Sequence, residues 1–398
     1  IRDDLVTGVQ TCALPIWPAA LVLLVFSLAL AACGSAVPGA RSGQTEATPS
    51  AAPSATRTAS PSPTASPTTT PSPTPTATPT PVPAPTQVPL GSFDSSRLLP
   101  GIEPQGYLDD ACRYLYLRWS PGKASPGTIV APIMYHSVTP DYRIITDNIS
   151  VTSSYFEATM RRARQLGYET ITTEQFVDFL YNNARIPERS LLLIVDDRRP
   201  GVIREHFMPI LEEYDWTVTL AYITGPAMAW EWRELTEMNA TGRIDVQAHG
   251  FMHNGETYFT EETPPEIIHQ EIYNPIPLIE ERLGRRPLAF IWPGGNYTRE
   301  TVKEVRKAGY KVGLTVHSSG PVMFNWVPMG PAQREMDDPL MVLPRYWSTA
   351  AFVNLEDAAA IGDEARAYAL EHRQDELDWY AYYCRGYPAI EDPLAGVE

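Results

Sequence analysis

Cysteine is scarce in this 398-residue chain, with four in all: Cys12, Cys33, Cys112 and Cys384. That is too few for a scaffold held together by disulfides. Basic residues are also few, 31 Lys and Arg against 47 Asp and Glu, for a net charge of −16. Such a chain lacks the basic face that phosphates demand, so no nucleic-acid partner is expected. A neutral or cationic partner suits it better. The longest apolar run, Trp17 to Ala32, is short for a membrane span. Histidine is rare, seven residues, which makes any close pair informative. Proline is abundant at 39, but most of it lies in one N-terminal block, so chain-average composition misleads.

Residues 6–16 resemble a translated sequencing-library adapter, so Cys12 carries no functional meaning. The apolar run that follows reads as a signal-peptide core and ends in Leu30-Ala31-Ala32-Cys33-Gly34. That order resembles a bacterial lipobox, in which Cys33 is acylated and becomes the mature N-terminus. Residues 1–33 are therefore expected to be artefact plus lipoprotein signal peptide, with the folded part outside the cytoplasm and lipid on Cys33 holding it to the membrane. From 34 to 95 Ser, Thr, Pro and Ala recur without apolar periodicity, as in a disordered linker. Its repetitive part, residues 41–90, would reach up to ~150 Å if extended as polyproline II at about 3.1 Å per residue. Cys112 and Cys384 remain, near the two ends of the folded part. Outside the cytoplasm such a pair is a disulfide candidate.

After a lead-in over 96–127, strand and helix patterns alternate from residue 128 to 348. Strands are predicted at 128–136, 168–172, 191–195, 216–223, 243–249, 288–292, 311–316 and 341–345. Helices are predicted at 153–167, 173–183, 202–214, 230–239, 264–283 and 298–308, and a helical tail occupies most of 349–398. Such alternation argues for an α/β fold, a parallel sheet with helices outside, and the count fits a barrel. Chemistry collects at the C-terminal ends of such strands. Asp196, Asp197, His249 and Pro293-Gly294-Gly295 all fall there.

The apolar strand Leu191–Val195 stops at two adjacent carboxylates, which a cation would hold together. His249 and His253 follow another strand, four residues apart. Two imidazoles and a carboxylate make a zinc-type site with a position left for water.

With these residues in view, the chain resembles the NodB-like polysaccharide deacetylases, carbohydrate esterase family 4. The resemblance rests on Met134-Tyr135-His136-Ser137-Val138, Val195-Asp196-Asp197, His249-x-x-x-His253 and Trp292-Pro293-Gly294-Gly295, in the family's order and spacing. It implies a distorted (β/α) barrel of about seven strands and one divalent metal, usually zinc. The implied reaction is hydrolysis of N-acetyl groups on an N-acetylated polysaccharide. Asp197, His249 and His253 would be the metal ligands and Asp196 the general base. Backbone near Gly294 and Gly295 would hold the oxyanion. His317 is the candidate acid, with His136 the other option. The family's glycine after the second Asp is Arg198 here, a residue that could cover the site, bind substrate or tune Asp196. The family's arginine that orients the catalytic Asp is Ile291 here, leaving Arg198, Arg199 or Arg345 to compensate. Trp292, Trp326, Tyr346 and Trp347 are candidates to stack on sugar rings, with core packing as their other role. These departures motivate one alternative, a non-catalytic glycan-binding lipoprotein on the same fold.

Overall fold

The computed structural model describes residues 90–225, 227–253 and 259–391. The apolar run, Cys33 and nearly all of the Pro/Ser/Thr-rich stretch lie outside the described residues.

Nine strands make one sheet: β1 (Ile129–Tyr135), β2 (Glu169–Thr170), β3 (Arg189–Asp196), β4 (Val218–Tyr222), β5 (Ile244–Ala248), β6 (Ala289–Ile291), β7 (Val312–Leu314), β8 (Val322–Met323) and β9 (Tyr346–Trp347). Seven lie in the order β7-β6-β5-β4-β3-β1-β8. β2 adds to β3, and β9 to β1. Every pairing is parallel except that of β8. The longest register, β1 on β3, runs from Ile129 opposite Arg189 to Tyr135 opposite Val195. Every residue of β1, β4 and β5 is buried, as expected of parallel strands covered on both faces.

The sheet curls. Leu343 bridges to Leu314 of β7, and three residues later Tyr346 pairs with Ile133 of β1. The segment 343–347 therefore joins the two edges. The predicted strand at 341–345 is corrected accordingly. Pro339–Met341 is a 3-10 turn, and the paired strand is Tyr346–Trp347. Pro344 has no N–H to donate, so the ladder loses a hydrogen bond at that position.

Helices α1 (Ala111–Trp119), α2 (Ser153–Gln165), α3 (Thr173–Asn182), α4 (Met208–Tyr214), α5 (Ala229–Asn239), α6 (Pro265–Tyr273), α7 (Pro275–Leu283), α8 (Arg299–Lys307), α9 (Ala351–Glu371) and α10 (Arg373–Tyr383) cover the sheet. Caps start several of them. Thr152, rather than Ser153, accepts from Tyr155 N–H at the head of α2, and Thr172 and Gln175 form a capping box on α3. Where one helix was expected over 264–283 there are two, because Pro275 cannot extend α6. The 202–214 helix contains a π turn, Ile203–Phe207, ahead of Pro209. In the lead-in, Glu103–Gln105 pairs with Val327–Met329, and Cys112 of α1 is bonded to Cys384 beyond α10.

Candidate active site

β3 delivers Asp196 buried, 2% exposed, at its last position. The next residue, Asp197, has φ 71°, in the left-handed region that non-glycine residues seldom adopt. His249 follows β5 directly, and His253, at φ 61°, ends a tight loop over 250–253. Two positive-φ residues in one side-chain cluster are a concentration of backbone strain typical of functional sites. The loop is held by Glu271 of α6, 2% exposed, whose carboxylate accepts from the N–H groups of Phe251 (2.8 Å), Met252 (2.9 Å) and His253 (3.1 Å). Gly250 permits this approach, since a Cβ there would stand 2.5 Å from Glu271 Oε2.

One ligand atom each from Asp197, His249 and His253 lies within 4.8 Å of the others. Asp197 Oδ1 is 3.7 Å from His249 Nε2 and 3.8 Å from His253 Nε2. Donors about 2.0–2.2 Å from a tetrahedral zinc would stand roughly 3.4 Å apart, close to these values. The donor chemistry fits too. His249 Nδ1 lies 2.8 Å from the Ile291 carbonyl, so it carries the proton and Nε2 keeps its lone pair. Burial pushes the His249 imidazole down to about 4, so it stays neutral. Arg199 donates to Asp197 Oδ2 at 3.1 Å and to Ser137 Oγ, orienting that carboxylate.

Asp196 faces a different partner. Arg345, 1% exposed, donates through Nη1 to both its oxygens, at 2.7 and 2.9 Å, and through Nε to the Thr315 carbonyl at 2.7 Å. Burial alone would raise the Asp196 carboxyl. The Arg345 guanidinium, with His249 and His136, outweighs burial and holds it below the ordinary carboxylate range. His136 Nε2 stands 3.8 Å from Asp196 Oδ2, and its imidazole is pushed down by burial against the opposing pull of Asp196. His317 lies after β7. Its carbonyl accepts Arg345 N–H at 3.0 Å, its ring Nε2 is 3.3 Å from Tyr297 Oη, and burial lowers its imidazole.

Three expectations are corrected here. Arg198 does not tune Asp196; its guanidinium pairs with Glu231 of α5. Trp292 is fully buried and donates to the Met341 carbonyl at 2.8 Å, so it offers no face to a sugar. Gly295 N–H is consumed inside its own turn, donating to the Trp292 carbonyl at 2.8 Å, so it is not an oxyanion donor. Its φ of 74° and the Val316 side chain, 2.3 Å from where a Cβ would be, show a packing role; Gly294 is the exposed one of the two. Arg345, one of the three arginines that could compensate for Ile291, is buried and touches Asp196. Of the other aromatics, Trp326 and Tyr346 are buried and Trp347 half-buried.

Glu271 was missed by sequence reasoning. Its signal was present, a carboxylate between Ile268 and Ile272 on the buried face of a helix. A cavity of about 280 Å3 lined by Phe93, Tyr114, Phe324, Trp326 and Tyr368 contains none of the cluster residues.

The curled parallel sheet brings paired carboxylates and imidazoles together at its strand ends, on an architecture consistent with a (β/α) barrel. By comparison, residues 183–313 match the family model described as polysaccharide deacetylase. A curated relative, "Putative polysaccharide deacetylase YxkH" of Bacillus subtilis (strain 168), is 24% identical over 190 residues, 46% of this chain. The chain spans 63% of that relative's length. Among solved structures, the Streptococcus pyogenes deacetylase PplD in complex with acetate is 21% identical, with a TM-score of 0.47 over 59% of this chain and 99% of that one. IcaB from Ammonifex degensii is 20% identical, with a TM-score of 0.45 over 60% and 98%.

Proposed function

We propose that this chain is a divalent-metal-dependent deacetylase that hydrolyses N-acetyl groups on a polysaccharide. The observation that carries the reading is the convergence of Asp197, His249 and His253 beside a separately held Asp196. A divalent cation, zinc by the donor set, would supply Lewis acidity to activate water and polarise the acetamide carbonyl. Asp197 and the two Nε2 atoms would hold it. Asp196, kept ionised by Arg345, takes the proton of the attacking water. The water oxygen bonds to the acetyl carbon, the C–N bond breaks, and acetate leaves. The amine must receive a proton as it departs, and His317 is the proposed donor, with His136 steadying Asp196 from 3.8 Å.

Localisation belongs to the same proposal. An acylated Cys33 would tether the domain outside the cytoplasm at the cell surface, and the linker would let it reach the wall. The Cys112–Cys384 bond supports an oxidising compartment. Failure of Cys33 to take up labelled palmitate in cells would remove the tether from the proposal.

The test is acetate release from N-acetylglucosamine oligomers by the zinc-loaded protein. Asp196→Asn is expected to lower kcat by about 10²–10⁴-fold with zinc affinity retained. Glycan affinity with no turnover in the unmodified protein would overturn the enzymatic reading.

A further inference from the structure

The rim beside the cluster carries apolar side chains that the reaction does not use. Met228 is 63% exposed, Trp230 54% and Met252 49%. Exposed apolar surface grouped beside a polar site marks a ligand-binding groove more often than chance.

Specific contacts tie together the segments that carry the three. Met252 immediately precedes His253. Gly225 N–H donates to the Phe251 carbonyl at 2.6 Å, and a Cβ on Gly225 would meet Met252 Sδ at 2.9 Å. The turn leading into α5 therefore lies against the histidine loop. Met228 is the N-cap of α5, and Trp230 is in its first turn. Glu231, the next residue, accepts from Met228 N–H at 2.6 Å and from Arg198. Arg198 directly follows Asp197. One helix start is thus tied both to the strand end that carries Asp197 and to the loop that carries His253.

We propose that Trp230, flanked by Met228 and Met252, forms an apolar wall on which a pyranose ring of the acetylated glycan lies. This rests on the deacetylase reading and specifies how that site holds its substrate. An acetamide whose carbonyl reaches the cluster brings its own ring, and the rings next to it, against this rim. A pyranose presents C–H groups on its face and hydroxyls at its edge. That matches a flat indole between two adaptable thioethers. Arg198 and Glu231 pair with each other, so this wall takes a neutral ring rather than a charged one. Arg198, where the family has glycine, positions the wall and does not touch the acetyl group.

The experiment is calorimetric titration of N-acetylglucosamine pentamer into zinc-loaded Asp196→Asn protein, with and without a second change. Adding Trp230→Ala is expected to raise Kd about tenfold, with Trp230→Phe recovering most of the loss. Zinc affinity equal in all three reports an intact site. An unchanged Kd in Trp230→Ala overturns the wall, as does absence of pentamer binding by the Asp196→Asn parent. Because that parent does not turn over, the outcome is separate from acetate release. An unmodified protein that releases no acetate sinks the deacetylase reading, while loss of pentamer binding on Trp230→Ala still supports the wall.

Discussion

Arg345 and Asp196 are 149 residues apart in sequence, yet their contact decides the state of the proposed base. Both are almost fully buried, so each charge is compensated by the other in place of water. Removing one partner of a buried pair costs about 3–5 kcal/mol, because the other is stranded without water. Arg345→Leu should therefore lower the unfolding free energy from urea denaturation by that order and depress kcat. Arg345→Lys should recover part of both, since it restores charge without the planar fork. Equal stability for Arg345→Leu and the parent would refute this account. The adjacent carboxylates and the spaced imidazoles were legible in sequence because their partners are near neighbours along the chain. Arg345 was only one of three arginines open to that role. Its choice needs the sheet to close and bring 345 to the end of β3. Arg198 misled for the same reason: its neighbour in sequence is Asp197, but its neighbour in space is Glu231.

Among the elements, α6 has a role beyond packing. Its Glu271 collects three consecutive N–H groups of the 251–253 loop and so fixes the direction of His253. Groups that orient a metal ligand in this way typically contribute 10–100-fold to affinity. Glu271→Gln keeps the shape but loses the charge and one acceptor. It should weaken zinc binding on the order of tenfold, measured by competition with a chelator, while the helix content by circular dichroism stays unchanged. Unaltered zinc affinity would mean that the loop holds itself. The strands β1, β3, β4 and β5 were readable as apolar runs. The breaks at Pro275 and Pro344 were misjudged in both cases because periodicity continued across a residue that lacks the N–H the element needs.

At the scale of the molecule, the lead-in and the tail are joined. α1 and α10 share a small core of Leu115, Trp119, Ala369, Tyr380 and Cys384, and Trp119 donates through its indole to Glu376 at 2.6 Å. Cys112 and Cys384, 272 residues apart, are bonded across it. Closing so long a loop restricts the unfolded chain, and a disulfide is typically worth about 2–4 kcal/mol. Replacing both cysteines by serine should lower Tm by several degrees in calorimetry and leave zinc affinity intact, because the bond is remote from the cluster in sequence and in contacts. An unchanged Tm would show that the small core alone holds the ends. The pairing was legible only as a candidate, since distance in space is absent from a sequence.

That bond also makes residues 112–384 a closed covalent ring that contains every strand of the sheet. A mechanical pull applied between the two ends of the described chain would pass from one end to the other through the sulfurs. It would straighten only the short arms outside the ring. Once the pairing of Glu103–Gln105 with Val327–Met329 gives way, the load would run through the sulfurs, and the sheet and its cluster would be shielded from it.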